Sequence, residues 1–357
     1  MNDDAVFMDR ALFLAERGRG RTSPNPIVGA VVVSPDGIVV GQGAHLAAGG
    51  PHAEIVALDA AGPRARGATL YCTLEPCAHT GRTGPCVERI VAAGITRVVA
   101  AVQDPNPRVA GRGAAFLRAH GADVVLDVEK DRASALNAFF FTWINRHRPF
   151  VILKTAVSAD GFVGRADRPV KLTGPAADRH FHRQRAEVDA IAVGSGTVLA
   201  DDPLLTARGV YRERPLTRVL FDRGARIPAD SRVFSTLPAG PVIMIVSEAA
   251  ARTQAAHLAS LERRGLAVDR TGDAPLRSVL DGLADRQVLS LLVEGGPTLQ
   301  QSFLDARLVD RVQWITTPRA LETGVPAVSR AGLDAGPVRT TRLGDDVLME
   351  FDVHGTD

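Results

Sequence analysis

Three short stretches constrain this chain more than any others: His52-Ala53-Glu54, Pro76-Cys77 and Cys86. One imidazole and two thiols are donors that zinc accepts, and a catalytic zinc takes three protein ligands and leaves its fourth position to water. Glu54 is the odd member, a carboxylate suited to carry the proton that such a water must lose. Gly49-Gly50-Pro51 breaks the chain before His52. A helix is predicted from about His52 to Ala61, with Glu54 in its first turn, where a negative charge suits the helix dipole. Two plainer readings stand beside this one. Cys77 and Cys86 could be buried apolar thiols with no metal between them. Alternatively, His79 could close a purely structural zinc site, in which case Glu54→Gln would change nothing.

At 357 residues the chain exceeds the size at which one core stops growing, so two domains are expected. The polar stretch Arg146-His147-Arg148-Pro149 is the natural joint, dividing the chain into domains at 1–146 and 150–357. A charged fraction of 23% and a net charge of +2 give no argument for nucleic-acid or membrane partners. With three cysteines, a disulfide framework is not expected, which points to a reducing cytoplasm; Cys72, in a strand-like run, reads as plain packing. Met1-Asn2-Asp3-Asp4 is acidic where a signal peptide is basic, and no apolar run reaches the length of a membrane span.

Residues 4–18 read as an amphipathic helix, with Val6, Met8, Leu12, Leu14 and Ala15 roughly helically spaced. Ser23-Pro24-Asn25-Pro26 is a stiff loop, and 27–33 and 38–43 form a hairpin across Pro35-Asp36-Gly37. Asn25 reads as a turn residue, although its amide could face a pyrimidine edge, and His45 as a surface histidine by default, although it could face the same pocket. Strands are expected at 69–74, 98–102 and 124–126, and helices at 87–93, 114–120 and 129–145. Cys77 is placed at the start of a helix, where a thiol ionises more readily. The alternation predicts an α/β sandwich with the metal where helix N-termini approach each other.

The order H-x-E…P-C…C is the signature of the zinc nucleobase deaminases, in which the glutamate is acid and base and not a ligand. Eight residues separate Cys77 from Cys86 here, where the commonest form has two. Together with Thr73-Leu74-Glu75-Pro76-Cys77-Ala78-His79, Gly81-Arg82-Thr83-Gly84-Pro85-Cys86, Gln103-Asp104-Pro105-Asn106-Pro107 and Gly111-Arg112-Gly113, the chain resembles the bifunctional riboflavin-biosynthesis deaminase/reductase family, in which that long interval is normal. The resemblance spans essentially the whole chain. It implies an N-terminal cytidine-deaminase-like α/β/α sandwich followed by a dihydrofolate-reductase-like α/β domain. It further implies zinc on His52, Cys77 and Cys86 with Glu54 as the catalytic residue, a diaminopyrimidine ribosyl phosphate as substrate, and NADPH to reduce the ribosyl group to ribityl. The family also implies a homo-oligomer, dimer or tetramer. A deaminase of tRNA bases is the alternative from another class, but it would want a basic, aromatic-rich face, which two Trp and two Tyr do not suggest.

In the second half, 150–157 reads as an apolar strand whose inward Lys154 needs a partner or a ligand. A helix is expected at 176–187 and strands at 190–193, 217–222, 242–246, 288–293, around Trp314, and at 347–353. The 288–293 strand runs into Glu294-Gly295-Gly296-Pro297-Thr298, a weak but sound phosphate cradle, and no G-x-G-x-x-G opens a helix. By the family resemblance, the dinucleotide falls on Ala156, Lys171, Thr197, Asp201, Arg223, Gly296, Pro297 and Thr298. The substrate falls on Pro169, Arg185, Leu205, Arg208 and Glu294, with the two guanidinium forks suited to a sugar phosphate. Lys154 and Asp160 are expected to orient ribose hydroxyls. Where the family often carries a serine and a tryptophan, this sequence has Pro169 and Lys171. The alternative is therefore a deaminase with a catalytically inactive reductase-like domain. Residues 247–285 offer helices and no functional clue.

Overall fold

The computed structural model describes residues 3–78, 84–107, 109–165, 168–329 and 336–353. The chain divides into two compact units, residues 1–147 and 148–357.

The first unit runs α1 (Asp3–Ala15), β1 (Gly29–Val33), β2 (Val39–Ala44), α2 (Ala53–Ala61), β3 (Thr69–Cys72), α3 (Cys86–Ala92), β4 (Arg97–Ala100), α4 (Arg112–Ala119), β5 (Asp123–Val125), α5 (Lys130–Leu136) and α6 (Ala138–Arg146). Its sheet has the order β2-β1-β3-β4-β5, with β1 antiparallel to both neighbours and β3, β4 and β5 parallel. Every residue of β1 is buried, which explains its unbroken apolar run: both faces are covered. Glycines let the helices come close. A Cβ on Gly29 would lie 2.0 Å from the Ala11 carbonyl oxygen of α1, and one on Gly41 would lie 2.1 Å from the Ala57 oxygen of α2. Gly41 pairs with Val32 and Gly29 with Ala44, so alternation puts α1 and α2 on opposite faces of the sheet. The result is an α/β/α sandwich.

The helix expected at 129–145 is two helices. Asn137, buried between α5 and α6, turns its amide inward, accepting from the Ile27 N–H at 2.7 Å and donating to the Ile27 oxygen at 2.9 Å. An asparagine that satisfies another segment's backbone in this way is poorly placed to continue a helix.

The second unit runs β6 (Phe150–Val157), β7 (Phe162–Gly164), α7 (Pro175–Glu187), β8 (Ala190–Gly194), α8 (Ser195–Asp201), β9 (Thr217–Phe221), β10 (Val242–Ile245), α9 (Glu248–Thr253), α10 (Ala255–Glu262), β11 (Ala267–Asp269), α11 (Leu276–Asp285), β12 (Ser290–Val293), α12 (Pro297–Asp305), β13 (Arg311–Thr316), β14 (Val325–Pro326), β15 (Arg339–Leu343) and β16 (Asp346–Asp352). Nine strands form one sheet in the order β11-β10-β9-β8-β12-β6-β13-β16-β15, parallel from β11 to β13 and antiparallel beyond. β7 and β14 pair separately. Residues 247–285 supply α9, α10, β11 and α11; Val279, Leu280 and Leu283 of α11 enter the core, so the segment builds one side of the unit. Arg148, read from sequence as part of a polar joint, is buried. Its guanidinium forks onto Asp310 at 2.5 and 2.6 Å, and Asp310 also accepts from the Val151 N–H at 2.8 Å, which secures the start of β6. Among the described residues, no helix is long and apolar enough to cross a membrane.

Candidate active sites

In the first unit, His52 is the N-cap of α2, Cys77 lies in the segment after β3, and Cys86 opens α3. Their ligand atoms all lie within 4.8 Å of one another. His52 Nδ1 is 3.1 Å from Cys86 Sγ and 3.6 Å from Cys77 Sγ. Cys77 and Ala78 are not helical, and the helix expected to follow them falls on residues 79–83, outside the described residues. The Cys86 N–H, at the start of α3, donates to Cys77 Sγ at 3.4 Å, so a helix end still serves that sulfur. Contact with Cys86 and His52 holds the Cys77 thiol down at about 4 against burial, while the same contact and burial push Cys86 up. The two sulfurs thus share a proton whose place a dication within reach of both would take. The contact with Cys77 also raises His52. One nitrogen and two sulfurs in a cluster this tight suit zinc with one position left over. His79, the fourth ligand of the structural alternative, lies outside the described residues.

Glu54, in the first turn of α2, is 4% exposed, and burial pushes its carboxyl up, toward the range in which it both takes and returns a proton. Two further residues carry the site: His45, which the sequence offers as a pocket residue but leaves by default as a surface histidine, and Glu75, to which it assigns no role. His45 is buried, its ring edge-on to His52 at 5.6 Å. Its Nδ1 lies 3.0 Å from the Pro51 carbonyl, which only accepts, so Nδ1 carries the proton. Burial lowers the pKa of His45, leaving Nε2 free to accept from Asn25 Nδ2–H at 3.1 Å. Glu75 is the second. Its buried carboxylate accepts from the N–H groups of Asp104 at 3.2 Å, Gly111 at 2.9 Å and Ala114 at 3.0 Å, tying the end of β4 and the start of α4 to the loop that bears Cys77.

The second unit holds a cavity of about 850 Å³ beyond the carboxyl ends of its parallel strands, the usual ligand position in open α/β sheets. Lys154 meets Glu294, its ammonium 3.8 Å from the carboxylate and 4.6 Å from the centre of the Phe181 ring; burial lowers its pKa. Arg185 forks onto Glu294 at 2.7 and 2.8 Å and reaches the Thr206 oxygen at 3.2 Å. Burial alone would raise Glu294, but the charges of Arg185 and Lys154 outweigh it and hold the carboxyl at about 2. The glycine turns after β8 and β12 face the cavity, joined where the Gly296 N–H donates to Thr197 Oγ1 at 3.1 Å. Buried Gln300 fixes the second turn: it accepts from the Thr155 hydroxyl and donates to the Lys154 and Gly295 oxygens.

Residues 1–102 match the cytidine and deoxycytidylate deaminase zinc-binding region, and residues 149–349 match the RibD C-terminal domain. A riboflavin biosynthesis protein RibD from Aquifex aeolicus is 37% identical over 98% of this chain and 98% of its own. The chain belongs to the RibD family. The RibD of Escherichia coli is 41% identical over 89% of this chain and 88% of its own. Among solved structures, Acinetobacter baumannii RibD has a TM-score of 0.86 at 34% identity, covering 98% of both chains. A Thermotoga maritima protein described as a diaminohydroxyphosphoribosylaminopyrimidine deaminase/5-amino-6-(5-phosphoribosylamino)uracil reductase has a TM-score of 0.85 at 33% identity, again over 98% of both. As a RibD protein, the chain is a bifunctional deaminase and reductase of riboflavin biosynthesis, with a zinc-binding deaminase region and a reductase domain of the type that uses NADPH.

Within this RibD chain, Ala156, Thr197, Asp201, Arg223, Gly296, Pro297 and Thr298, expected at the dinucleotide, line the cavity, as do Arg185, Leu205 and Glu294, expected at the substrate. Three expected residues are absent from its lining. Lys171 is exposed and ion-pairs with Asp178 on α7. Pro169 stays back while its neighbours Arg168 and Val170 face in. Arg208 is exposed, its backbone N–H donating to His182 Nδ1 at 3.2 Å. Asp160 is not in the cavity lining either. Its carboxylate accepts from the Leu321 and Glu322 N–H groups and the Ser158 hydroxyl, which pins a loop.

Proposed function

We propose that the first unit deaminates the pyrimidine of a diaminopyrimidine ribosyl phosphate and that the second reduces the ribosyl group of the product to ribityl. The observation that carries the reading is the convergence of His52, Cys77 and Cys86 beside buried Glu54. These three residues would hold the zinc, which when bound supplies a Lewis acid that makes water available as a nucleophile near neutral pH. Glu54 takes the proton from the attacking water and returns it to the leaving ammonia, a task its raised carboxyl suits. Asn25, held by His45, is placed to meet the ring edge.

NADPH supplies the hydride that C1′ of the ribosyl group takes up as the sugar opens. Lys154, buried against Glu294, holds the proton that the opening ring oxygen needs. Arg185 and Leu205 line the substrate end, with Arg208 on the same loop for the phosphate; Ala156, Thr197, Asp201, Arg223, Gly296, Pro297 and Thr298 line the path of the dinucleotide. Pro169 and Lys171 stand outside the cavity lining, on either side of the lining residue Val170, and are proposed to meet ligand at the cavity's edge. The protein is read as a cytoplasmic homo-oligomer that acts on a small molecule, with no nucleic-acid partner, in keeping with its near-neutral charge.

A coupled assay on the purified protein tests this. Ammonia release should precede NADPH oxidation, and Glu54→Gln should lower both by about 10²–10⁴-fold. The same variant, given the deaminated intermediate, should oxidise NADPH at the wild-type rate. Ammonia without NADPH loss would leave only a deaminase.

A further inference from the structure

We propose that Arg226 reads the phosphate that distinguishes NADPH from NADH and so sets the coenzyme preference of the second unit. The proposal rests on the reading that the dinucleotide lies along this unit's cavity.

Strand order fixes which end of that cavity is which. Its lining passes from Lys154–Ala156 on β6 to Glu294 after β12, Gly194 on β8, Phe221 on β9 and Ile245 on β10, which are successive neighbours in the sheet. At about 4.8 Å between strands, the ends of β6 and β9 are roughly 14 Å apart, far enough to separate the two nucleosides of a dinucleotide. The groups able to manage a proton, Lys154 and Glu294, stand at the β6 and β12 end, which assigns that end to the reacting ring. The glycine turns lie in the middle. There a Cβ on Gly295 would sit 2.9 Å from the Leu299 side chain and 3.2 Å from the Gly194 nitrogen, so the backbones close up as a pyrophosphate needs. The adenosine then falls over β9 and β10, beside Thr271 and Gly272.

Among the described residues that line the cavity, Arg223 and Arg226 are the cations that follow β9, at this adenosine end; Lys154 and Arg185 stand against Glu294, and Arg165 and Arg168 follow β7. The two arginines are not equivalent. Arg223 pairs with Asp273 at 2.9 Å, so its charge is already matched. Arg226 donates to Ser195 Oγ at 2.7 Å, a neutral acceptor in the glycine turn itself. Its ion-pair partner, Asp222, lies 3.8 Å from Nε, a looser contact than that of Arg223, and also accepts from the Ile227 N–H, so the outer fork of Arg226 is not taken up by a carboxylate. Arg226 is therefore anchored beside the pyrophosphate position with most of its five N–H donors uncommitted, and a planar fork of that kind matches a phosphate monoester on the adenosine ribose.

Titration of the purified full-length protein with NADPH and with NADH, followed by nicotinamide fluorescence, tests this without turnover. Arg226→Gln is expected to weaken NADPH by about tenfold to a hundredfold while NADH stays within about twofold. Ser195→Ala, which frees the fork, should give a smaller loss in the same sense. Arg226→Lys should recover part of the affinity, and Arg223→Gln should cost less than Arg226→Gln. An equal loss for both coenzymes, or none, overturns the proposal. Wild-type protein that binds both equally well keeps the dinucleotide reading and rejects the role of Arg226; wild-type protein that binds neither rejects both.

Discussion

The two sites treat charge in opposite ways. In the first unit, two sulfurs and an imidazole converge as a donor set for one dication, gathered, among the described residues, around no fixed cationic side chain of their own. In the second, the buried charges are already cancelled: Glu294 meets Arg185 through two hydrogen bonds and Lys154 beside them. One site is a set of donors that suits a bound dication. The other is a finished polar wall that a ligand only has to touch. Metal should therefore govern the first unit's integrity, and pH the second's.

Removing a ligand should have the largest effect. Cys86→Ala is expected to take zinc, measured by elemental analysis, from about one per chain to near zero, and to abolish ammonia release. NADPH oxidation with the deaminated intermediate should persist; its loss would mean that the units are not separable. Glu294→Gln comes next. It strands Arg185 and Lys154 as buried cations, at a cost of about 3–5 kcal/mol by urea unfolding of the second unit at pH 7. Because the Glu294 carboxyl is held at about 2, below its ordinary 4.5, its stabilisation is complete above pH 4.5 and fades as pH falls through 2. The gap between wild type and variant should close over that window, and a gap that stays constant would break the comparison. The smallest effect is expected from Gly113→Ala. A Cβ there would lie 2.0 Å from the Pro76 oxygen and 3.1 Å from Glu75 Oε1. The variant should lose about 1–3 kcal/mol of stability and bind zinc more weakly, because the displaced loop carries Cys77.

What the sequence revealed follows the same division. His52, Glu54, Cys77 and Cys86 are legible because zinc chemistry demands rare donors at tight local spacing. The buried strands at 150–157 and 190–193 are legible because a parallel strand covered on both faces is predominantly apolar, Lys154 being the exception that marks the site. His45 can only be offered, and Glu75 escapes notice, because their roles exist only once β1, β2 and β4 are side by side. Asn137 breaks a helix for the sake of Ile27, more than a hundred residues away, which no local pattern records. In the second unit, Lys171, Pro169, Arg208 and Asp160 carry suitable side chains, but the turns that bear them leave those side chains out of the cavity lining. Arg226 and Gln300 show the converse: ordinary residues that the sheet order and a helix N-terminus bring to it.

The tie from the Pro51 carbonyl through His45 to Asn25 gives the first site a direction. A carbonyl that can only accept fixes the tautomer of the ring; the ring then claims the amino half of the Asn25 amide. The amide cannot turn over without breaking that sequence, so what it shows to an arriving molecule is its oxygen. On the proposed reading that Asn25 meets the pyrimidine, a ring edge carrying N–H would be welcomed there and one carrying only lone pairs refused. The Pro51 carbonyl at the threshold of α2 would then set, two residues removed, which face of a heterocycle the site accepts.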